Sequence, residues 1–269
     1  MSIELKNASF AYPGGFLANE NLTLTIEPGE RVAIVGQNGA GKTTCVKMMN
    51  GLHKPCEGNV LVDGENTKDF TAAHIARTVG YVFQNPDDQI FNQSVRKEIE
   101  YMPRYFKLPE EEIKRRVDRA VALTGLEPYM KKNPFDIPYP IRKFVTIAAV
   151  LATEPKYVIF DEPTAGQDKW GTEILEQLLD KLEQEGIAVV TITHDMEFVA
   201  RNFKRVVAMA HKNIIADGTA GEIFGNDEIV NESRILKPQL TVLAEKLGLP
   251  GQILTCEDLV AALSGRMES

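Results

Sequence analysis

Residues 36–43, with the threonine that follows them, have the types and spacing of a loop that holds a phosphate chain. They lie between a β-branched run at 31–35, typical of a buried strand, and a helical pattern at 44–49. Glycines let the backbone wrap closely around a triphosphate, and successive N–H groups at a helix start favour an anion. We therefore predict a nucleotide site formed by Gly36, Gln37, Asn38, Gly39, Ala40, Gly41, Lys42, Thr43 and Thr44. The alternative is a glycine-rich turn that binds nothing.

Two residues of this loop and two carboxylates elsewhere have types suited to phosphate chemistry. We expect Lys42 to reach the β- and γ-phosphates and the hydroxyl of Thr43 to bind Mg²⁺. Asp161 and Glu162 follow the apolar run 157–160, at the carboxyl end of a predicted buried strand. In a chain with a phosphate loop, such a pair divides into a Mg²⁺ ligand and a general base.

Three further polar or aromatic residues lie at the ends of predicted strands. Gln84 follows the strand pattern 79–83, where its amide can ligate Mg²⁺ or orient a water, or else lie in solvent. His194 follows the buried strand 187–193 and can hydrogen-bond a γ-phosphate, although a lone histidine is equally well structural. Tyr12 can stack on an adenine ring, or simply pack at a strand end.

Composition narrows the classes of partner. The chain has 30 Lys and Arg against 38 Asp and Glu, a net charge of −8 and a pI of about 5.2, so no overall basic field draws it to nucleic acid. Its cysteines, Cys45, Cys56 and Cys256, are far apart and predict no disulfide framework. Apolar runs such as 144–152 fall short of the ~18 residues that a membrane span needs. Any membrane crossing is therefore expected from another subunit.

The hydrophobic patterns predict an α/β fold with two additions. Alternating residues at 3–10 and 22–26 indicate antiparallel strands before the loop strand, and the block 94–153 is helical without a strand. We expect a main domain at 1–225, with a helical subdomain inserted at about 90–153. Residues 226–269 form a helical tail with a leucine stripe at Leu240, Leu243 and Leu247 and a capping box at 255–258.

Taken together, residues 3–224 resemble the nucleotide-binding subunit of an ABC transporter. The resemblance implies a P-loop NTPase core of the RecA-like type, ATP and Mg²⁺ as cofactors, and ATPase activity. It places the adenine-stacking aromatic on Tyr12, the glutamine loop on Gln84, the Mg²⁺ aspartate on Asp161 and the general base on Glu162. It also places the D-loop aspartate of the dimer interface on Asp168 and the switch histidine on His194.

Within that family, residues 83–89 and the tail 238–263 are similar to energy-coupling factor ATPases. Those drive uptake of vitamins or of cobalt and nickel ions through a membrane scaffold and a separate substrate-binding subunit. The resemblance implies a peripheral protein on the cytoplasmic face of the membrane, with a second ATPase and both membrane subunits as partners. It implies that a membrane subunit docks in a cleft lined by Asp87, Asp88, Gln89 and Phe91, and that the tail 226–269 dimerises; core packing is the alternative for each segment.

One segment departs from the family pattern. The serine of the family's Leu-Ser-Gly-Gly-Gln signature, which completes the partner's ATP site, falls at Pro138, 23 residues before Asp161. Pro138 has no hydroxyl, Tyr139 adds bulk where glycine permits close approach, and Pro140 has no N–H. We therefore expect these dimer-interface residues to impair the partner's site, and the chain to pair with a different ATPase whose signature is intact. The alternative is that another segment supplies the missing donors.

Two other functions compete with a transport motor. Non-transport ABC ATPases usually carry two cassettes or a long coiled-coil insertion, and this sequence shows one cassette and neither addition. A small-molecule kinase shares the phosphate loop but does not account for Gln84, Glu162, Asp168 and His194 together. A nucleotide-binding subunit with little hydrolysis of its own is a further alternative.

Overall fold

The computed structural model describes residues 1–249 and 252–267. The strands are β1 (Ile3–Ala11), β2 (Leu17–Ile26), β3 (Arg31–Val35), β4 (Glu57–Val62), β5 (Glu65–Asn66), β6 (Val79–Val82), β7 (Tyr157–Asp161), β8 (Ala188–Ile192), β9 (Arg205–Ala210) and β10 (Asn213–Thr219). The helices are α1 (Lys42–Met49), α2 (Ala72–Ile75), α3 (Val95–Tyr105), α4 (Glu110–Thr124), α5 (Tyr139–Leu151), α6 (Lys169–Gln184), α7 (Met196–Asn202), α8 (Ala220–Phe224), α9 (Asp227–Ser233), α10 (Gln239–Lys246) and α11 (Cys256–Met267).

A mainly parallel sheet forms the centre of the fold. Among the described residues its strand order is β10-β9-β3-β8-β7-β6, and only β10 runs antiparallel to its neighbour. Successive residues of β3 face opposite sides of the sheet. Ala33 and Val35 join the core shared with the helices, whereas Val32 and Ile34 join the core shared with α1 and the second sheet. The carboxyl ends of β3, β6, β7 and β8 thus lie along one edge, where ligands bind in such sheets.

The second sheet is antiparallel and lies against α1. Its order is β2-β1-β4-β5, and Ile3 of β1 pairs with Ile26 of β2 and Val62 of β4. All three side chains are buried in the core that contains α1. The predicted antiparallel sheet before the phosphate loop is confirmed.

The inserted subdomain consists of α3, α4 and α5. The hydroxyl of Ser94 accepts the N–H of Lys97 and caps α3, and α4 ends at Gly125, whose φ of 66° is in the left-handed region. Between β6 and β7 the described chain contains no strand, as the sequence predicts. The three helices share one core with α6 and the central sheet.

The predicted tail, residues 226–269, includes 250, 251, 268 and 269, which lie outside the described residues. Within it, α9 packs on β9 and β10 through the buried side chain of Val230. Helices α10 and α11 share a small core of Ala244, Leu249 and Ile253. Thr255 and Asp258 cap α11 reciprocally, at 3.2 and 2.9 Å, as predicted. In the described part of the chain, no helix has the length and apolar character needed to cross a bilayer.

Candidate functional site

The phosphate loop turns from β3 into α1 at Gly41. This residue has a φ of 100°, in the left-handed region that glycine adopts freely, and a Cβ there would lie 2.7 Å from the carbonyl oxygen of Ala18. The ammonium of Lys42 donates to the carbonyl oxygens of Gly36 at 2.7 Å and Gln37 at 3.0 Å. Burial lowers the pKa of Lys42. The loop therefore holds a cation beside the N-terminus of a helix, which is the arrangement that binds an anion.

Asp161 ends β7, and only 5% of its surface is exposed. The hydroxyl of Tyr81, on the adjacent strand β6, donates to Oδ2 of Asp161 at 2.6 Å. Burial and then the charge of Asp161 raise the pKa of Tyr81, so this hydroxyl keeps its proton and orients the carboxylate. Tyr81 is not among the predicted site residues, because its only signal in the sequence is a hydroxyl in the strand that precedes Gln84.

Glu162 follows with a φ of 51°, a left-handed conformation uncommon for a residue with a side chain and often associated with functional sites. Its carboxylate accepts the backbone N–H of His194 at 3.2 Å, and Nε2 of His194 lies 3.4 Å from the ammonium of Lys42. Burial raises the pKa of Glu162 and lowers the pKa of His194, where the charge of Lys42 acts in the same direction. A carboxylate with a raised pKa suits a proton acceptor, and the imidazole is neutral at pH 7.

These groups converge on one cavity of about 490 Å³. Of the predicted site residues, it is lined by Tyr12, Asn38, Gly39, Gly41, Lys42, Thr43, Thr44, Gln84, Asp161, Glu162 and His194. Gly36, Gln37 and Ala40 do not line the cavity. The carbonyl oxygens of Gly36 and Gln37 instead accept from the ammonium of Lys42.

Oxygen donors for Mg²⁺ are present in this cavity, on Thr43, Gln84 and Asp161. Hard oxygen ligands are those that Mg²⁺ prefers, usually one or two from the protein together with substrate phosphates and water. The described residues include no group of three or more His, Cys, Asp or Glu that could hold a metal ion by itself. The donor set thus fits an ion shared with a nucleotide.

Tyr12 lies at the mouth of the cavity, with 38% of its surface exposed. Its hydroxyl is 3.0 Å from Oγ1 of Thr44, and its ring packs edge-on against Phe10 and His53. The ring is therefore packed on one side and open to the cavity on another. Its stacking on adenine stays a prediction.

The tail touches the phosphate loop, a contact that the sequence analysis missed. The carbonyl oxygen of Ser233, at the end of α9, accepts the N–H of Gln37 at 2.8 Å. Ser233 is fully buried. No local pattern can signal a contact between residues so far apart along the chain.

The segment predicted as a degenerate signature, 138–140, forms the start of α5. Helix α5 begins at Tyr139, and Pro140 lies in its first turn. Tyr139 is 40% exposed and lies against Gly166, where a Cβ would be 3.0 Å from its ring. The side-chain amide of Gln167 donates to the carbonyl oxygen of Pro140 at 3.0 Å. The segment keeps a helix N-terminus but offers no serine hydroxyl and lacks two backbone N–H groups, at Pro138 and Pro140.

Asp168, predicted for the dimer interface, caps α6. Its Oδ1 accepts the N–H of Gly171 at 2.8 Å. The interface role of Asp168 stays a prediction.

An apolar groove of about 280 Å³ lies between β6 and the helices α3 and α5. Three exposed apolar side chains line it, Leu52, Phe91 and Tyr101, and the last two meet edge to face with centroids 4.6 Å apart. Gln89 also lines the groove, and its Oε1 accepts the N–H of Phe83 at 3.0 Å.

Asp87 and Asp88 do not line this groove, and the role of the four residues in docking a membrane subunit stays a prediction. Both residues lie on the single helical turn Pro86–Asp88. Asp87 accepts from Arg142 at 2.8 Å, and Asp88 lines a neighbouring cavity that contains Gln84. Arg142 also donates to the carbonyl oxygens of Pro134, Phe135 and Ile137.

Comparison with known proteins places this site in a family. A family model described as ABC transporter matches residues 19–165. The energy-coupling factor transporter ATP-binding protein EcfA2 of Clostridium perfringens is 39% identical over 256 residues, covering 92% of this chain and 90% of the relative. The solved structure of cbiO1 from the same organism, part of the ABC transporter complex cbiONQ, has 32% identity and a TM-score of 0.78, covering 92% of this chain and 98% of that one.

A dimeric ATP-binding cassette in a post-hydrolysis state, bound to ADP and phosphate, has 28% identity and a TM-score of 0.73. It covers 81% of this chain and 98% of its own. The resemblance inferred from the motifs and the predicted fold class are thereby confirmed. The chain belongs to the ABC transporter family, as an ATP-binding subunit with an ATP-hydrolysing cassette.

Proposed function

We propose that the chain hydrolyses MgATP as a peripheral subunit on the cytoplasmic face of a membrane. In this proposal it powers an energy-coupling factor type importer for a vitamin or a transition-metal ion. The observation that carries the hydrolytic function is the convergence of the phosphate loop, Asp161, Glu162 and Gln84 on one cavity. The names of the relatives support the importer class. A transmembrane scaffold subunit and a substrate-binding membrane subunit complete the complex.

Each group at the cavity has a role in this mechanism. Lys42 and the loop N–H groups hold the β- and γ-phosphates. Thr43, Gln84 and Asp161 would hold Mg²⁺, which when bound would supply positive charge against the phosphate oxygens. Glu162 accepts the proton of the attacking water. His194, neutral and next to Lys42, hydrogen-bonds the γ-phosphate.

We propose that the working unit is a heterodimer. The chain has every group that its own ATP site needs, apart from those that a partner's signature would donate. At 138–140 it offers the partner a helix N-terminus without the serine hydroxyl and with proline nitrogens at 138 and 140. The partner's site is therefore the impaired one, and this chain's own site is completed by a second ATPase with an intact signature.

We propose that the groove lined by Leu52, Phe91 and Tyr101 receives a short helix of the membrane scaffold subunit. Its exposed aromatic side chains are those that anchor protein interfaces. It also lies between the central sheet and the helical subdomain, next to the strand that leads to Gln84. A shift of Gln84 on ATP binding can therefore be passed to the docked subunit.

Glutamate substitutions in the groove test this docking. Phe91→Glu and Tyr101→Glu should each lower the membrane-bound fraction of the chain in its native host at least about tenfold. The reason is that an unpaired buried charge costs well over the 1.4 kcal/mol that this factor represents. Quantitative immunoblotting of fractionated cells measures the fraction, and a fluorescent-ATP titration should show unchanged binding.

Tyr105→Glu is the matched control, because Tyr105 is an exposed aromatic one turn further along α3 and outside the groove. If both groove variants fractionate as the wild type does, the docking surface lies elsewhere. Charge reversal at Asp87 is a poor substitute, because it acts first on Arg142. A non-transport ABC ATPase, the second candidate function, also predicts no change in the groove variants.

We propose that α10 and α11 hold the two ATPases together when nucleotide leaves. They present exposed apolar side chains at Leu243, Val260 and Leu263, around a core too small to be stable alone. Truncation after Lys237 should abolish the nucleotide-free dimer, which sedimentation of the purified pair measures. ATP binding and the melting temperature should stay near the wild-type values.

Truncation after Gly225 is the informative comparison, because it also removes α9. ATP binding should weaken there, since Ser233 no longer holds the N–H of Gln37. The alternative is that the tail packs on its own domain, where the backbone N–H of Gln239 donates to the carboxylate of Glu197 in α7. Two results would support the alternative: a nucleotide-free dimer that survives truncation after Lys237, or unfolding of the whole chain in that variant.

A further inference from the structure

Lys143, in the second turn of α5, is a charged residue on the buried side of that helix. None of its surface is exposed. Its ammonium donates to the backbone carbonyl oxygens of Glu162 at 2.5 Å and Ala165 at 3.0 Å. No carboxylate forms an ion pair with it within the described part of the chain. Burial lowers the pKa of Lys143 to about 8, against the opposing charges of Glu162 and Asp161.

This placement is costly for a residue that merely fills space. A buried ammonium loses its hydration, and an apolar side chain of similar length packs without that cost. What Lys143 adds is a pair of charge-assisted hydrogen bonds to one turn of backbone, 162–165. That turn begins with the left-handed φ of Glu162, a conformation that persists only when its surroundings hold it.

The same helix start makes two further contacts with this region. Tyr139 lies against Gly166, and Gln167 donates to the carbonyl oxygen of Pro140. The turn that carries Glu162 and the signature-position segment are therefore bonded into one unit. In the proposed dimer these two segments serve different ATP sites.

We propose that Lys143 is a positioning residue for ATP hydrolysis: by bonding the carbonyl oxygens of Glu162 and Ala165, it fixes the backbone turn that aims the Glu162 carboxylate and ties that turn to the 138–140 segment. The inference rests on the proposed role of Glu162 as the base. Without the two bonds, the backbone of Glu162 can leave its left-handed conformation. The Glu162 carboxylate then moves away from its position near the phosphate loop.

The test uses Lys143→Met, which keeps an unbranched apolar stem and removes both donors. In the complex isolated with its partners, kcat for ATP hydrolysis should fall about 10- to 100-fold, the effect of a misplacement near 1 Å. The Kd for ATP should stay within about threefold, because Lys143 bonds only the backbone carbonyl oxygens of Glu162 and Ala165 and none of the groups proposed to hold the phosphates. Val145→Ala, equally buried on the same helix, is the structural control: it should lower the melting temperature and leave kcat within about twofold.

A double-mutant cycle separates positioning of Glu162 from an independent effect. In the Glu162→Gln background, Lys143→Met should change the single-turnover rate by less than about twofold, because there is no base left to position. An equal fold-loss in both backgrounds, a wild-type kcat for Lys143→Met, or a loss that follows the melting temperature as in Val145→Ala would each overturn the inference. If Lys143→Met does not fold, Lys143→Gln, with a shorter amide donor, undergoes the same cycle.

The Glu162→Gln variant alone keeps this test distinct from the proposed function. Near wild-type hydrolysis in that variant means that Glu162 is not the base, and the proposed mechanism fails with it. Slow hydrolysis in Glu162→Gln together with normal hydrolysis in Lys143→Met means that only the role of Lys143 is wrong.

Discussion

Glu162→Gln should bind ATP as tightly as the wild type and hydrolyse it about 10²- to 10⁴-fold more slowly, the range for loss of a general base. The amide keeps the volume of the side chain and can still meet the backbone N–H of His194, so the cavity stays intact. It cannot take a proton from water. Phosphate release by the assembled complex and a fluorescent-ATP titration measure the two quantities separately.

Lys42→Ala is the complementary control, because it should weaken ATP binding, which Glu162→Gln leaves unchanged. It removes the ammonium that the loop holds beside the N-terminus of α1, so ATP binding itself should weaken. Hydrolysis by Glu162→Gln at near the wild-type rate would assign the base to another group.

The purified chain alone should hydrolyse ATP very slowly, and replacing Pro138-Tyr139-Pro140 with Ser-Gly-Gly should raise that rate by about 10²- to 10⁴-fold. In a homodimer both sites receive this chain's own 138–140 segment. Two missing hydrogen bonds to a charged phosphate, at about 1.5 to 3 kcal/mol each, amount to about 3 to 6 kcal/mol. Steady-state phosphate release at saturating ATP measures the gain.

The control for this gain is the same replacement in a Glu162→Gln background, where hydrolysis should stay slow. Glycines also weaken a first helical turn, so the melting temperature must be followed in parallel. Brisk hydrolysis by the unaltered homodimer would show that another segment supplies the donors and that a second ATPase is not needed for this purpose.

The elements with local sequence signals were predictable, and the contacts between distant segments were not. The glycine spacing of 36–43 and the β-branched strands around it are local features, and the structure has the loop, the strands and α1 where the patterns indicate. Alternating residues equally well predicted the antiparallel sheet.

Three contacts depend instead on how the chain folds back on itself. The bond between Ser233 and Gln37 joins the tail to the loop, and Tyr81 reaches Asp161 because β6 pairs with β7. Asp87, a predicted docking residue, accepts a hydrogen bond from Arg142 of α5. Charge and polarity alone could not reveal these partners, because the sequence around a surface aspartate is the same whether the side chain contacts solvent, a protein partner or an arginine.

The most direct test of the whole account is the composition of the native complex. The full chain carrying an affinity tag should be purified from detergent-solubilised membranes of its host, and its partners quantified by mass spectrometry. We expect one copy of a different ABC ATPase with an intact signature for each copy of this chain, together with a membrane scaffold protein that is lost with Phe91→Glu. Recovery of this chain as a homodimer without a second ATPase or a membrane protein would contradict this expectation.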